Sequence, residues 1–331
     1  MKIVVVGGSG FIGTSLCSLL SKVDLDFVIY DKKKSLAFPD KCVVSDVRSL
    51  SHLSNVCSGA DVIVNLAAEH MDNVRPLSLY DEINVGGAVN VCKTAELHKI
   101  NRIIFTSSVA VYGFAELGTN EFGKIAPFND YGRTKWEAEE VLRSWQHKDT
   151  LNRSLVIIRP TVVFGKNNRG NVYNLFKQIF SGKFVMIGNG KNRKSIAYVE
   201  NVVAFIKHSL NSKAGVHVYN YVDKPDFTMN HLVSIVRKTL GRTEKVDAHI
   251  PFWLGMLAGK FFDFFALLSG KKFPISSIRV KKFCSNSVYK SVVDMSGFTP
   301  PVSLSDAIEE TIRHEFLEDQ LYKNQEEFFS E

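Results

Sequence analysis

What this 331-residue chain has little of narrows its chemistry before any motif is read. Its cysteines number five, Cys17, Cys42, Cys57, Cys92 and Cys284; they are odd in number, widely spaced and mostly set in apolar stretches. That spacing argues against a disulfide framework and fits reduced thiols in a cytoplasmic protein. The nine histidines are equally scattered, no metal-ligand spacing occurs, and no metal is expected. No run reaches about 18 uninterrupted apolar residues, so a spanning helix is not expected. The nearest, "IPFWLGMLAGKFFDFFALLSG" from Ile250 to Gly270, is broken near its middle by Lys260 and Asp263. It reads as a core-facing helix of a second lobe, with a membrane-surface helix rich in Phe and Trp as the other reading and peripheral membrane contact open. Internal repeats, low-complexity tracts and long linkers are also missing.

A net charge of +7 raises the question of nucleic acid, but the cations are dispersed and no nucleic-acid-binding module is present. An anionic small substrate accounts for the charge equally well. Lys166, Arg169, Lys191, Arg193, Lys194, Arg279, Lys281 and Lys282 lie in loop-like stretches that could meet a diphosphate. With 45% hydrophobic residues, the chain can bury a large core and is expected to form two lobes.

The chain opens on "MKIVVVGGSGFIG". A lysine before an apolar run resembles a secretory signal, but glycines at 7, 10 and 13 interrupt the apolar helix that a signal needs. The same residues read as a buried strand, a glycine turn and a helix carrying Leu16, Leu19 and Leu20. In such a unit the first glycine permits a tight turn, the second admits a pyrophosphate, and the third packs helix on strand. The anion then sits on the helix N-terminus. A second apolar strand, Asp26 to Tyr30, ends in Asp31, placed to accept hydrogen bonds from a ribose and to repel a 2′-phosphate; this favours NAD over NADP. Lys32, Lys33 and Lys34 then read as a solvated loop.

Further apolar strands follow at Cys42 to Val44, Val62 to Asn65, Ile103 to Thr106 and Leu155 to Ile158, alternating with helical patterns such as Tyr80 to Lys99 and Tyr131 to Gln146. The alternation predicts an α/β, doubly wound parallel sheet. Residues 1–165 are expected to form that lobe, with a return segment at about 191–212, and 166–331 mainly a smaller substrate-binding lobe. "SSVAVYG" follows the strand ending at Thr106, and "YGRTK" places Tyr131 and Lys135 four apart on one helix face. A lysine cation beside a phenol favours the phenolate, so Tyr131 could exchange a proton with a carbinol or carbonyl oxygen, and Ser108 could hydrogen-bond that oxygen.

Together, "GGSGFIG", Asp31, the Asp46-Val47-Arg48 turn, "NLAA" at 65–68, "NVGGAVNV" at 84–91, "SSVAVYG", "YGRTK" and "IRPTVVFG" at 158–165 resemble the extended short-chain dehydrogenase/reductase family, in its nucleotide-sugar epimerase and dehydratase branch. The resemblance covers nearly the whole chain and implies a Rossmann-like fold. It implies Tyr131 as acid/base, Lys135 as its activator and a nicotinamide-ribose ligand, and Ser108 as polariser of the reacting oxygen. It further implies Gly7, Gly10, Phe11, Ile12 and Gly13 along the pyrophosphate, and Asp31 on the adenosine ribose. Asp46 and Val47 would meet the adenine, with Ala67, Ala68 and Asn84 along the cofactor. Lys194 stands where many relatives have an arginine for the substrate diphosphate, and Arg279 could add a second cation.

The departures discriminate among activities. Val109 and Ala110 stand where family dehydratases have an acidic pair, which argues against dehydration. Val162, where many hexose epimerases have asparagine, and "NRKS" at 192–195 are similar to members that reduce 4-keto sugars. Asp31 and a recycled NAD favour C4 epimerisation of a UDP-hexose or UDP-N-acetylhexosamine, which is the reading adopted. Its alternatives are an NAD(P)H-dependent 4-keto-6-deoxy-sugar reductase, a hydroxysteroid-type dehydrogenase, and a non-catalytic dinucleotide sensor. A homodimer through the Tyr80–Lys99 and Tyr131–Gln146 helices and a place in polysaccharide biosynthesis are what relatives imply.

Overall fold

A computed structural model describes residues 1–71, 74–245, 249–269, 276–318 and 327–329. The first half runs β1 (Lys2–Val6), α1 (Phe11–Lys22), β2 (Asp26–Asp31), β3 (Cys42–Val44), α2 (Leu50–Val56), β4 (Val62–Asn65) and the single turn α3 (Ser78–Tyr80). It continues with α4 (Gly86–Leu97), β5 (Arg102–Thr106), α5 (Asp130–His147) and β6 (Ser154–Pro160). A π-helical turn, Asp81–Val85, joins α3 to α4, so the helix expected over 80–99 is nearly continuous.

The strands form one parallel sheet whose central members are buried on both faces. Ile3 and Val5 pack to one side with Val62, Val64, Ile104, Val156 and Ile158, against Leu16 and Leu20 of α1. Val4 and Val6 alternate to the other side with Ile63, Ile103, Phe105, Leu155 and Ile157, against α4 and α5. That period of two, apolar on both faces, is why these runs read as unbroken hydrophobic strands. α5 starts where Asn129 accepts the Gly132 amide at 2.9 Å, with Asp130 in the first turn favouring the helix dipole.

The second half contains β7 (Val162–Phe164), α6 (Asn171–Phe180), β8 (Met186–Ile187), β9 (Arg193–Tyr198), α7 (Val199–His208), β10 (Gly215–Tyr221), β11 (Asp223–Thr228), α8 (Met229–Thr239), β12 (His249–Ile250), α9 (Phe252–Ser269), α10 (Ser277–Cys284) and α11 (Leu304–Ile312). The sheet order is β10-β6-β5-β4-β1-β2-β3. α7 returns to pack beside α1, and β10, just past residue 212, adds the seventh strand. β11, β9 and β7 form a small separate sheet. The order reverses between β1 and β4, and in such sheets ligands bind in the crevice at the carboxyl ends of the strands flanking that point.

One expectation fails. α9 is not a core-facing helix: among its described side-chain positions only Gly255 and Gly259 are buried, while Trp253, Leu257, Phe261 and Phe264 are exposed. The two glycines let the helix lie close on Ile187, Ser277 and Val280, which leaves no room for its larger side chains on that side. Gly270, with most of the "SGKKFPISS" loop, lies outside the described residues. All five cysteines are free, and burial pushes the Cys17, Cys57 and Cys92 thiols up to about 12.

Candidate active site

The glycine turn lies at the switch point. Gly7 has φ +80°, and a Cβ there would stand 2.6 Å from the Ala67 amide nitrogen, so β1 and the end of β4 touch backbone to backbone. Gly13 approaches Gly7 as closely: a Cβ would lie 2.5 Å from the Gly7 carbonyl. α1 therefore begins directly above β1, with Gly10 at its N-cap, no side-chain cap and no acidic residue in its first turn. Phe11 and Ile12 occupy that first turn and are partly buried. An uncapped N-terminus with backbone approach on two sides suits a pyrophosphate.

Asp31 ends β2, where its carboxylate accepts the Ser9 amide at 3.0 Å and the Lys33 amide at 2.9 Å. The acid expected at the ribose is thus fixed to the glycine turn itself. Lys32 lies 3.5 Å from Glu69, and Lys33 and Lys34 are exposed. Asp46 is held by Arg48, whose Nε and Nη2 reach it at 3.0 and 2.9 Å, and this keeps its carboxyl below the usual range. Val47 is buried beside Gly87, and its carbonyl accepts from Asn90 at 2.9 Å. Ala67 and Ala68 line the end of β4. Asn84 accepts the Glu69 amide at 2.7 Å and donates to the Glu69 carbonyl at 3.1 Å and to Thr134 at 2.9 Å. It ties the loop after β4 to α5.

Ser108, Tyr131 and Lys135 come together at the ends of β5 and α5. Ser108 caps a short 3-10 turn, accepting the Ala110 amide at 3.1 Å. Burial raises the Tyr131 phenol above its ordinary value, and Ser108 acts against that shift. Lys135 is buried with its ammonium 4.5 Å from the Phe105 ring centre; burial lowers it to about 7, opposed by Glu139. The expected lowering of the phenol is therefore not produced by this chain's own groups, because desolvation outweighs any help from Lys135. A partner that brought positive charge to the phenol would offset this shift, and an oxidised nicotinamide carries such a charge.

Behind these residues is a buried network that sequence reasoning missed. Arg159 donates to Glu139 through Nε at 2.8 Å and Nη2 at 2.5 Å, and through Nη1 to the Tyr112 hydroxyl at 2.7 Å. Ser107 donates to Glu139 at 2.5 Å, and Tyr112 to Asn220 at 2.7 Å. The available signal was Glu139 one turn after Lys135, together with a charged Arg159 inside an apolar strand.

Of the cations expected near a diphosphate, Lys166 and Arg169 are paired with Glu310 and Glu315. Lys194 is different: its ammonium donates to the Lys282 carbonyl at 2.7 Å, and burial lowers it to about 8. Arg279 is exposed on α10, one turn before Lys282. Among the described residues no group of three or more His, Cys, Asp or Glu is placed to hold a metal ion.

Residues 3–221 match the model of the NAD dependent epimerase/dehydratase family. The chain is 48% identical over 319 residues, 96% of each sequence, to an N-acetyl-alpha-D-glucosaminyl-diphospho-ditrans,octacis-undecaprenol 4-epimerase of Escherichia coli O157:H7. It is 29% identical to a UDP-glucose 4-epimerase of Vibrio cholerae, over 79% of this chain and 82% of that one. In fold it is similar to a UDP-N-acetylglucosamine 4-epimerase from Bacillus cereus, with TM-score 0.74 and 18% identity over 94% of this chain and 98% of the other. A UDP-glucuronic acid 4-epimerase from Bacillus cereus in complex with NAD gives TM-score 0.72 at 20% identity, over 95% and 98%.

The chain belongs to the NAD dependent epimerase/dehydratase family, and its cofactor is NAD.

Proposed function

We propose that this enzyme epimerises C4 of an N-acetylhexosamine carried through a diphosphate on a polyprenyl chain. The reading is supported most by the undecaprenol-linked 4-epimerase, which matches at 48% identity along nearly the whole length of both chains. The UDP-glucose relative at 29% identity favours a second reading, the same chemistry on a UDP-sugar. Both substrates present a sugar diphosphate to the same site.

NAD supplies the hydride acceptor and donor at C4. In this reading Tyr131 takes the proton of the C4 hydroxyl and later returns it, and Ser108 hydrogen-bonds the same oxygen. Lys135 holds positive charge below them, and Lys194, with Arg279 on α10, faces the diphosphate. Gly7, Gly10, Phe11, Ile12 and Gly13 bind the cofactor pyrophosphate. Asp31 binds its ribose, Asp46 and Val47 border the adenine, and Ala67, Ala68 and Asn84 shape the intervening wall. Residues 1–165 with the return segment form the cofactor lobe, and 166–331 mainly the substrate lobe. Two copies pair through α4 and α5, and the five free thiols favour a cytoplasmic site of action in polysaccharide assembly.

The test is hydride bookkeeping. With NAD bound and none added as a co-substrate, polyprenyl-diphospho-N-acetylglucosamine should yield the N-acetylgalactosamine form with no lasting change in NADH absorbance. Stoichiometric NADH consumption with a nucleotide 4-keto-6-deoxy sugar, and no exchange between C4 epimers, would show a reductase instead.

A further inference from the structure

α9 is an apolar helix that meets the body of the protein, among the described residues, along a line of small side chains. Gly255, Gly259 and Asp263, spaced by four, form that contact: a Cβ on Gly259 would meet the Ser277 backbone at 2.7 Å, and Asp263 accepts the Ser277 amide at 3.1 Å. On the opposite face Trp253, Leu257, Phe261 and Phe264 are 65%, 61%, 59% and 57% exposed. At 100° per residue these four fall within one outward stripe. A patch of this kind marks an interaction surface.

Charge selects the occupant. Among the described residues between 250 and 285 the cations are Lys260, Arg279, Lys281 and Lys282, against one acid, Asp263. Asp263 is turned inward to Ser277. Two copies meeting through this face would bring their cations together, whereas an anionic lipid surface complements them. No described helix is long and apolar enough to cross a membrane, so α9 would lie in the interface plane.

The surface is continuous with the candidate active site. α10 packs on α9, its Lys282 carbonyl receives Lys194, and its Lys282 ammonium lies 4.8 Å from the ring centre of Phe128. Phe128 directly precedes Asn129, the cap of the helix that carries Tyr131 and Lys135. A lipid-linked sugar can thus keep its chain near the bilayer while its diphosphate reaches Lys194.

We propose that α9 docks the enzyme on an anionic lipid bilayer, inserting Trp253, Leu257, Phe261 and Phe264. The choice of a bilayer rests in part on the polyprenyl-linked reading, so the test separates the two. NAD-loaded full-length enzyme is sedimented with vesicles of phosphatidylethanolamine and phosphatidylglycerol, and with vesicles of phosphatidylcholine. Binding to the anionic vesicles should be about tenfold or more stronger than to the neutral ones, and a variant with Trp253, Leu257, Phe261 and Phe264 each changed to Gln should lose about as much. Brominated acyl chains should quench Trp253 in the wild type, which decides the matter even if that variant does not fold. The proposal is overturned if the wild type stays in solution with anionic vesicles or Trp253 is not quenched. It is equally overturned if the folded variant binds as well as the wild type, or if the variant only dissolves a dimer. Turnover of detergent-dispersed polyprenyl-diphospho-N-acetylglucosamine reports on the substrate reading separately: vesicle binding without that turnover leaves docking standing and rejects the substrate.

Discussion

Arg159 and Glu139 form a buried two-point ion pair one helical turn beyond Lys135, with nitrogen–oxygen distances of 2.8 and 2.5 Å. The pair fastens α5 to β6, and through Tyr112 and Ser107 it reaches the end of β5 that carries Ser108. The network therefore ties together the ends of β5 and α5 from which Ser108, Tyr131 and Lys135 project. Glu139→Ala should leave a buried guanidinium without its main partner and destabilise the fold by about 3–5 kcal/mol. Replacing both residues with methionine should cost less than Glu139→Ala alone. Denaturant unfolding of the variants measures this, and equal or greater loss in the double variant would mean the pair is not what holds α5.

Tyr131→Phe should keep the fold and the affinity for NAD while lowering kcat by about 100-fold or more, the scale of a positioned acid/base. Because Ser108 acts against the upward shift of that phenol, Ser108→Ala should lower kcat by a smaller factor and move the basic or acidic limb of the pH profile. Near-normal turnover by Tyr131→Phe would remove it from the chemistry.

Lys135 gives a pH dependence of defined sign. Folding lowers it from 10.5 to about 7, so below pH 7 both folded and unfolded chains carry the charge and the full penalty of burying it is present. Between about 7 and 10.5 the folded protein sheds that proton while the unfolded chain keeps it, so the penalty shrinks as pH rises. Thermal melts of NAD-free protein should show Lys135→Met more stable than wild type near pH 6, with the gap closing toward pH 10. A constant gap would mean that Lys135 is not desolvated as the structure has it.

Much of this architecture was legible because it rests on local rules. Ile3 to Val6 has to be buried on both faces, Gly7 and Gly13 are required by backbone contact, and Tyr131 and Lys135 share a face through helix periodicity. The remainder depends on contacts between distant segments. Nothing near Lys166 or Arg169 announces Glu310 or Glu315, more than a hundred residues away, so cations that are internally paired looked available to a diphosphate. Tyr131's raised pKa depends on burial, which the Tyr-x-x-x-Lys spacing does not encode. α9 misled for a related reason: apolar content says that a helix avoids water but not whether protein or another surface covers it, and the decisive feature was its pair of small residues, Gly255 and Gly259.

Lys194 provides the remaining test, because its burial makes it sensitive to an incoming anion. Its ammonium is lowered to about 8 and donates a hydrogen bond to the Lys282 carbonyl. A diphosphate placed beside it would favour the charged form and raise its pKa, so substrate binding should take up a proton when measured near pH 8. The apparent KM should then climb as pH passes about 8, where the free enzyme loses this charge, while kcat stays level. Lys194→Met should show a raised KM that no longer depends on pH in that range, and Lys194→Arg should restore a low KM and hold it to higher pH, since a guanidinium stays charged there. Steady-state kinetics from pH 7 to 9 on the three proteins separates these cases. If Lys194→Met changed kcat rather than KM, or kept the wild-type rise in KM, the cation that meets the diphosphate would have to be sought on α10 instead, beginning with Arg279.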